Sequence, residues 1–282
     1  MKPMRPDPEI RVRKLRIPTP GGSIPALLLS PKGAVSEATG ILWLHGGGYF
    51  AGSKEMVHAS RAVDLVKKFG AVVLAPGYRL SLFAPYPAAL EDGYASLLYL
   101  KEHAAALGVR SDQLMVGGES AGGGLCAAVC LRARDEGTVR VAFQMPLYPM
   151  LDDRDTESSR ENHGRVWNTR RNHLAWKLYL RGTDRVSPYA VPARAEDLAD
   201  LPPAYSFVGD GEPFYAETVR YFERLRAAGV PAELDVYHTD THAFDMMDPD
   251  AALSHQAAEI FNQHFAAAQQ RFFAPQGERG DL

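Results

Sequence analysis

Gly118-Glu119-Ser120-Ala121-Gly122 constrains this chain most, because few backbone paths suit a serine framed by glycines at this spacing. It follows the apolar run Leu114-Met115-Val116 and precedes a stretch able to continue as helix. A serine on a sharp strand-to-helix turn needs small neighbours, since bulk on either side collides with the strained backbone. Alone, the pentapeptide fits any Gly-rich connection between strand and helix. Upstream, however, Ile41-Leu42-Trp43-Leu44 runs into His45-Gly46-Gly47-Gly48, a loop whose free backbone N–H groups suit an oxyanion. Two such loops in this order, each after an expected strand, point to acyl transfer by serine.

The remaining pattern agrees with that local geometry. Apolar runs at Ile41–Leu44, Ala71–Leu74, Leu114–Val116, Ala142–Met145, Tyr205–Val208 and Leu234–Val236 predict short strands covered on both faces. Helical spacing lies between them: Ala59, Ala62, Val63 and Val66, then Tyr215, Val219, Phe222 and Leu225 closed by Gly229 and Pro231. A third helix is expected from about Ser254 to Phe273, leading into a polar tail. Residues 1–40 read as two short strands, around Ile10 and Val12 and over Ala26–Leu29, joined at Gly21-Gly22. Right-handed crossovers then give an α/β fold, a mostly parallel central sheet with helices on both faces and catalytic loops at the strands' C-terminal ends. With 282 residues, 46% of them hydrophobic, one domain over 1–282 is expected. Leu151–Arg181 breaks the alternation with charge, Asn, His and Trp, so 151–200 is read as a cap inserted over the sheet.

Composition excludes several partners. A net charge of -3 gives no reason to expect nucleic acid or an anionic membrane. Local basic clusters, Arg11, Arg13, Lys14 and Arg16 or Arg170-Arg171, are read as solvated faces. No apolar run approaches the ~18 residues of a membrane span. The N-terminal segment is polar and proline-rich, without the apolar stretch of a secretion signal. The two cysteines, Cys126 and Cys130, lie four apart on one expected helix and read as packing thiols, which makes the cytoplasm the default compartment.

Acyl transfer by serine needs a proton acceptor, a group that orients it, and donors for the tetrahedral oxyanion. Ser120 is the nucleophile candidate. The order serine, acid, histidine places the base on a late loop; His242 lies just beyond the strand Leu234–Val236, with His238 as the nearer alternative. His163 and His173 precede the acid and do not fit that order. The acid should follow Tyr205–Val208, where spacing leaves both Asp210 and Glu212 open. Ala121 N–H, with Gly47 and Gly48, supplies the oxyanion donors. Gly46-x-Gly48-x-x-Ala51 also matches a dinucleotide fingerprint, but the next strand ends in Ala75-Pro76 where a ribose-binding acid belongs. The chemistry requires no metal and no organic cofactor; the expected partner is a small-molecule ester.

These residues resemble the hormone-sensitive-lipase-like family of bacterial esterases within the α/β-hydrolase fold. His45–Gly48 looks like the family's HGGG loop, and Gly118–Gly122 like its GDSAG elbow with Glu119 in place of Asp. Tyr78-Arg79-Leu80, Pro87–Asp92, Tyr148-Pro149 and Leu201-Pro202-Pro203 extend the similarity from about Ile41 to Phe265. The resemblance aligns Glu212-Pro213-Phe214 with the family's D-P-L segment, favouring Glu212 over Asp210, and His242-Ala243-Phe244 with its H-G-F segment. It implies carboxylesterase activity on short-chain acyl esters, with Gly47, Gly48 and Ala121 as oxyanion donors. A lactone, an aryl formamide or an acetylated carbohydrate would use the same machinery, and the fold also serves as a receptor where the triad is degraded. The stretch before His45 is shorter than the family's, so the N-terminal part of the cap is expected to be reduced. Tyr49, Phe50 and Trp167 are then candidate pocket walls. Related esterases pair an edge strand across a two-fold axis, which would make Leu234–Val236 a homodimer contact.

Overall fold

Side chains alternate across each strand, and the alternation divides the core in two. Leu28, Leu42, Leu44, Leu74, Leu114 and Val116 enter one apolar cluster, while Leu27, Leu29, Ile41, Trp43, Val73 and Met115 enter another. A strand whose odd and even residues are both buried must be covered on both faces. The computed structural model describes residues 4–277, so the first residues of the proline-rich stretch and the end of the polar tail lie outside the described residues.

The strands are β1 (Ile10–Thr19), β2 (Gly22–Pro31), β3 (Ala38–Leu44), β4 (Val72–Pro76), β5 (Val109–Glu119), β6 (Phe143–Leu147), β7 (Ala204–Gly209) and β8 (Ala232–Tyr237). They form one sheet in the order β1-β2-β4-β3-β5-β6-β7-β8. β1, β2 and β4 pair antiparallel, and from β4 through β3 to β8 every pairing is parallel. The expected α/β sheet is therefore present. The first two strands are longer than the sequence pattern suggests, pairing from Ile10↔Pro31 to Thr19↔Gly22. Charged residues on the outer strand β1 obscure its length because only one of its edges is paired.

The helices are α1 (Ala62–Phe69), α2 (Ala88–Glu102), α3 (Ala121–Glu136), α4 (Thr169–Tyr179), α5 (Tyr215–Ala227), α6 (Phe244–Met247) and α7 (Ala252–Arg271). Leu97 and Leu100 of α2, Leu125 and Val129 of α3, and Phe222 and Leu225 of α5 cover one face. Leu65 and Val66 of α1 and Phe261 and Phe265 of α7 cover the other. Helix α2 leaves no clear apolar stripe in the sequence, because its buried side includes Asp92, Gly93 and Ser96. Asp92 is tolerated there by a fork from Arg79, whose Nε lies 2.9 Å from Oδ2, and by the Arg79 N–H at 2.8 Å. The segment between β6 and β7 carries α4 and a short 3-10 turn, Pro192–Arg194. Among the described residues no helix is long and apolar enough to cross a membrane.

Candidate active site

Four strand ends converge at one rim of the sheet. β3 delivers His45–Gly48, β5 delivers Ser120, and the loops after β7 and β8 deliver Glu212 and His242. At Ser120 the chain turns at once from β5 into α3, with φ 57° and ψ -119°. That left-handed backbone is costly for a non-glycine residue and holds the hydroxyl out from the turn. It survives because its neighbours are fixed: Ser120 N–H donates to Leu147 O, and Ser120 O accepts from Gly124 and Met150 N–H, each at 3.0 Å. The flanking glycines are steric necessities. A Cβ on Gly118 would stand 2.5 Å from Leu44 O, and one on Gly122 would stand 2.0 Å from the same oxygen.

Ser120 Oγ lies 2.8 Å from His242 Nε2, and His242 Nδ1 bonds Glu212 Oε2. All three side chains are buried. Burial raises the Glu212 carboxyl above the ordinary range, opposed by the charge and hydrogen bond of His242. The structure thus brings together Ser120, Glu212 and His242. Asp210 and His238 form a separate, solvent-exposed pair, Nδ1 to Oδ2 at 2.8 Å, in which the hydrogen bond to His238 holds Asp210 below its ordinary range. Asp210 also accepts the N–H of Thr239 at 3.2 Å, so it ties the loop after β7 to the loop after β8.

The glycine loop passes against the serine, with the Cβ position of Gly46 3.4 Å from Ser120 Cβ. Gly47 and Gly48 take φ values of 116° and 58°. A side chain at Gly47 would strike Ala51 O at 2.2 Å, and one at Gly48 would strike the Trp167 ring at 2.3 Å. Ala121, the first residue of α3, carries one of the N–H groups that a helix start leaves without an intrahelical acceptor. The positive end of the helix dipole faces the same point. His45 braces this loop: its Nδ1–H donates to Gly46 O at 2.7 Å, and its ring stacks on Tyr78 at 4.1 Å. Burial drives its pKa down to about 4, so the brace is neutral at ordinary pH.

The three candidate pocket residues separate. Tyr49 sits in the core, with its ring 4.0 Å from Tyr179 and its hydroxyl donating to Met150 O at 3.1 Å. It fastens the glycine loop to α4. Trp167 lies over the site, with its ring centroid 6.3 Å from His242, 6.2 Å from Phe214 and 6.4 Å from Phe50. Its indole N–H donates to Asn172 at 3.3 Å, which fixes the ring.

Behind the histidine lies a buried polar layer that the sequence reading missed. Tyr148 meets the His242 ring edge-on at 5.3 Å and donates its hydroxyl to Asp245 Oδ1 at 3.0 Å. Arg61 Nε stands 3.1 Å from Asp245 Oδ2. Glu119, beside Ser120, accepts the indole N–H of Trp43 at 2.9 Å, and burial lifts its pKa to about 8. Glu217 holds the start of the segment between β6 and β7 by accepting the N–H groups of Leu151 and Asp152 at 2.6 and 3.2 Å. The signal in sequence was slight: buried acids in otherwise apolar surroundings, without a spacing that names their partners.

This architecture is shared widely. A family model described as alpha/beta hydrolase fold matches residues 41–246. Esterase LipI of Mycobacterium tuberculosis is 35% identical over 243 residues, covering 84% of this chain and 76% of that protein. The acetyl esterase of Salmonella agona is 30% identical over 247 residues, covering 84% and 74%. Among solved structures, a bacterial heroin esterase superposes with a TM-score of 0.87 at 34% identity, over 93% of this chain and 84% of that one. Esterase LipW from Mycobacterium marinum gives 0.86 at 30% identity, over 92% and 82%. With the match running from β3 past the histidine loop, the chain belongs to the alpha/beta hydrolase family, in its hormone-sensitive-lipase-like branch.

Proposed function

We propose that the protein is a serine carboxylesterase that hydrolyses short-chain acyl esters through an acyl-enzyme. The observation that carries the reading is the unbroken relay from Ser120 Oγ to His242 Nε2 and from His242 Nδ1 to Glu212. In the proposed sequence His242 takes the hydroxyl proton as Ser120 Oγ attacks the ester carbonyl. The negative charge then rests on the N–H groups of Gly47, Gly48 and Ala121, and Glu212 stabilises the imidazolium. The carbonyl re-forms as the C–O bond to the alcohol breaks, and the alcohol leaves with the proton held by His242. Water repeats the cycle on the acyl-enzyme and releases the acid. A small acyl group fits the position of Trp167, which closes over Gly48 and His242.

The test is kcat/KM across p-nitrophenyl esters of increasing acyl length, for the wild type and Ser120→Ala. The expected result is a maximum at acetate to butyrate, with burst-phase acylation in the wild type and none in Ser120→Ala. Turnover that survives Ser120→Ala, or activity confined to a lactone, formamide or acetylated sugar, would overturn it.

Three further features belong to this reading. Residues 151–200 act as the cap of a single domain, supported by Trp167 over the triad and by the packing of Tyr49 against Trp176 and Tyr179 of α4. Cys126 and Cys130 are free and buried, which suits a reducing cytoplasm. β8 ends the sheet and exposes Val236, which suits pairing with a second copy; a monomeric mass by light scattering would dismiss that contact.

A further inference from the structure

The most exposed large apolar side chain among the described residues is Phe83, 89% accessible, followed on the same turn by Leu82 at 46%. The turn is rigidly built. Phe83 and Ala84 N–H both donate to Leu80 O, at 3.1 and 2.9 Å, and fully buried Ser81 donates its N–H to Tyr49 O at 2.9 Å. The projecting pair is thus hung on the glycine loop of the active site. Nothing in that hydrogen bonding requires apolar side chains at the tip, and exposing them to water is unfavourable.

The turn is tied to a basic helix face. Arg181, just past α4, donates to Leu82 O at 3.3 Å, and Tyr86 N–H donates to Tyr179 O at 2.8 Å. From Thr169 to Arg181 the chain carries Arg170, Arg171, Lys177 and Arg181 and no acidic residue. Spacing of four, three and four places Arg170, Leu174, Lys177 and Arg181 along one stripe, continuing past the helix end. The residues of the stripe are exposed, Leu174 among them at 48%. None of the four cations pairs with a carboxylate among the described residues: Arg171 and Arg181 bond carbonyls instead. Of the acids flanking this segment in the chain, Asp152 is engaged by Arg154, Asp153 by Arg194, Asp155 by His173 and Glu157 by Arg220, while Glu161 and Asp184 hold no cation among the described residues. In a chain of net charge -3, four cations without a bonded carboxylate beside an apolar tip are unusual.

We propose that the Leu82–Phe83 turn and the basic face of α4 form one docking surface for an anionic lipid layer, which presents ester-bearing amphiphiles to the active site. A projecting turn offers no groove or unpaired strand edge for a polypeptide to read, whereas a fluid acyl layer admits Phe and Leu wherever they land. The cations around Leu174 complement the negative surface potential of such a layer. Neither element carries a residue of the triad or of the oxyanion loop, so docking and basal turnover separate experimentally.

The test is co-sedimentation of the full chain with phosphatidylglycerol vesicles and with phosphatidylcholine vesicles. Binding is expected for the anionic vesicles at low salt, with little for the zwitterionic ones, and it should weaken steeply by about 0.5 M salt, where screening shortens to a few Å. Phe83→Ser should weaken binding about tenfold through lost apolar insertion. Arg170→Gln with Lys177→Gln should weaken it about thirtyfold. Both variants should hydrolyse a soluble acetate ester at the wild-type rate. Absence of binding to anionic vesicles at low salt overturns the proposal. So does binding that Phe83→Ser leaves unchanged and that soluble polyglutamate matches, since that pattern describes an acidic protein partner.

Discussion

Glu212→Gln should lower kcat/KM for p-nitrophenyl acetate by about a thousandfold, while Asp210→Asn should leave it within about threefold of wild type. The contrast follows from where the two pairs sit. Glu212 is 1% exposed and its bonded partner His242 is 4% exposed, so water contributes little to stabilising the imidazolium that forms as Ser120 attacks. Charges about 4 Å apart at an effective dielectric constant near 20 attract by about 4 kcal/mol. Each 1.4 kcal/mol or so is a factor of ten in rate, which gives the thousandfold figure. A glutamine amide also offers a donor to Nδ1 and so favours the tautomer that cannot accept the serine proton. Asp210 and His238 face solvent, where screening and hydration leave their attraction little net effect. The assay is steady-state kinetics with a thermal melt on each variant, so that unfolding is not mistaken for lost chemistry. A loss beyond about a hundredfold in Asp210→Asn, with Glu212→Gln retaining more than about a tenth of wild-type activity, would refute the assignment of the buried pair to catalysis.

Three other substitutions probe the surroundings. Gly48→Ala places a methyl 2.3 Å from Trp167 in a backbone of φ 58°, and should cut kcat about a hundredfold or more with a smaller change in KM, read from saturation curves. Trp167→Ala empties the space over Gly48 and His242; the ratio of hexanoate to acetate kcat/KM should rise, and an unchanged ratio would remove Trp167 from the pocket. Glu119 has a folded-state pKa raised to about 8 by burial, so the native state holds its proton where the unfolded state has lost it. Its contribution to stability is complete below about pH 4.5 and is lost as pH rises towards and through about 8. Melting temperatures between pH 5 and pH 9 should therefore fall less steeply in Glu119→Gln than in the wild type, and parallel curves would contradict the assigned burial effect.

Much of this was legible in sequence because it is local. The elbow and glycine loop announce themselves through glycines, and the structure explains why: Gly118 and Gly122 press on Leu44 O, and Gly47 on Ala51 O. The strands of the parallel sheet showed as apolar runs because both of their faces are buried. Their ends did not show. β5 extends from Val109 rather than Leu114, since its first turn of sequence, Arg110 to Asp112, is polar and lies where the sheet meets solvent. Spacing alone left Asp210 and Glu212 open because both follow β7 within three residues; what distinguishes them is which way each leaves the loop, towards His242 or towards His238. Its place in the glycine loop makes Tyr49 a candidate pocket wall in sequence. In the structure its left-handed backbone, φ 64°, carries the ring into the core beneath α4.

The polar layer beneath the site shows what a linear reading cannot reach. Arg61 comes from the entry to α1, Glu119 from the end of β5, Tyr148 from the end of β6, and Asp245 from the helix after the histidine. No fixed spacing relates them, so no motif reports them. Their arrangement nevertheless follows from the fold: the same strand ends that bring Ser120 and His242 together also bring Glu119, next to the serine, and Asp245, three residues past the histidine, to the buried side of the pair. Both are acidic and lie in low dielectric, so each requires a donor, which Trp43, Tyr148 and Arg61 supply. Replacing such a layer with apolar side chains need not destabilise the protein, because buried ion pairs recover little of their desolvation cost. Its physical consequence is directional. Hydrogen bonds fix orientation more sharply than apolar contact, and here they act on Glu119 beside Ser120 and on Asp245 in the helix after His242, so the 2.8 Å approach of Ser120 to His242 is held from behind as well as by its own hydrogen bond.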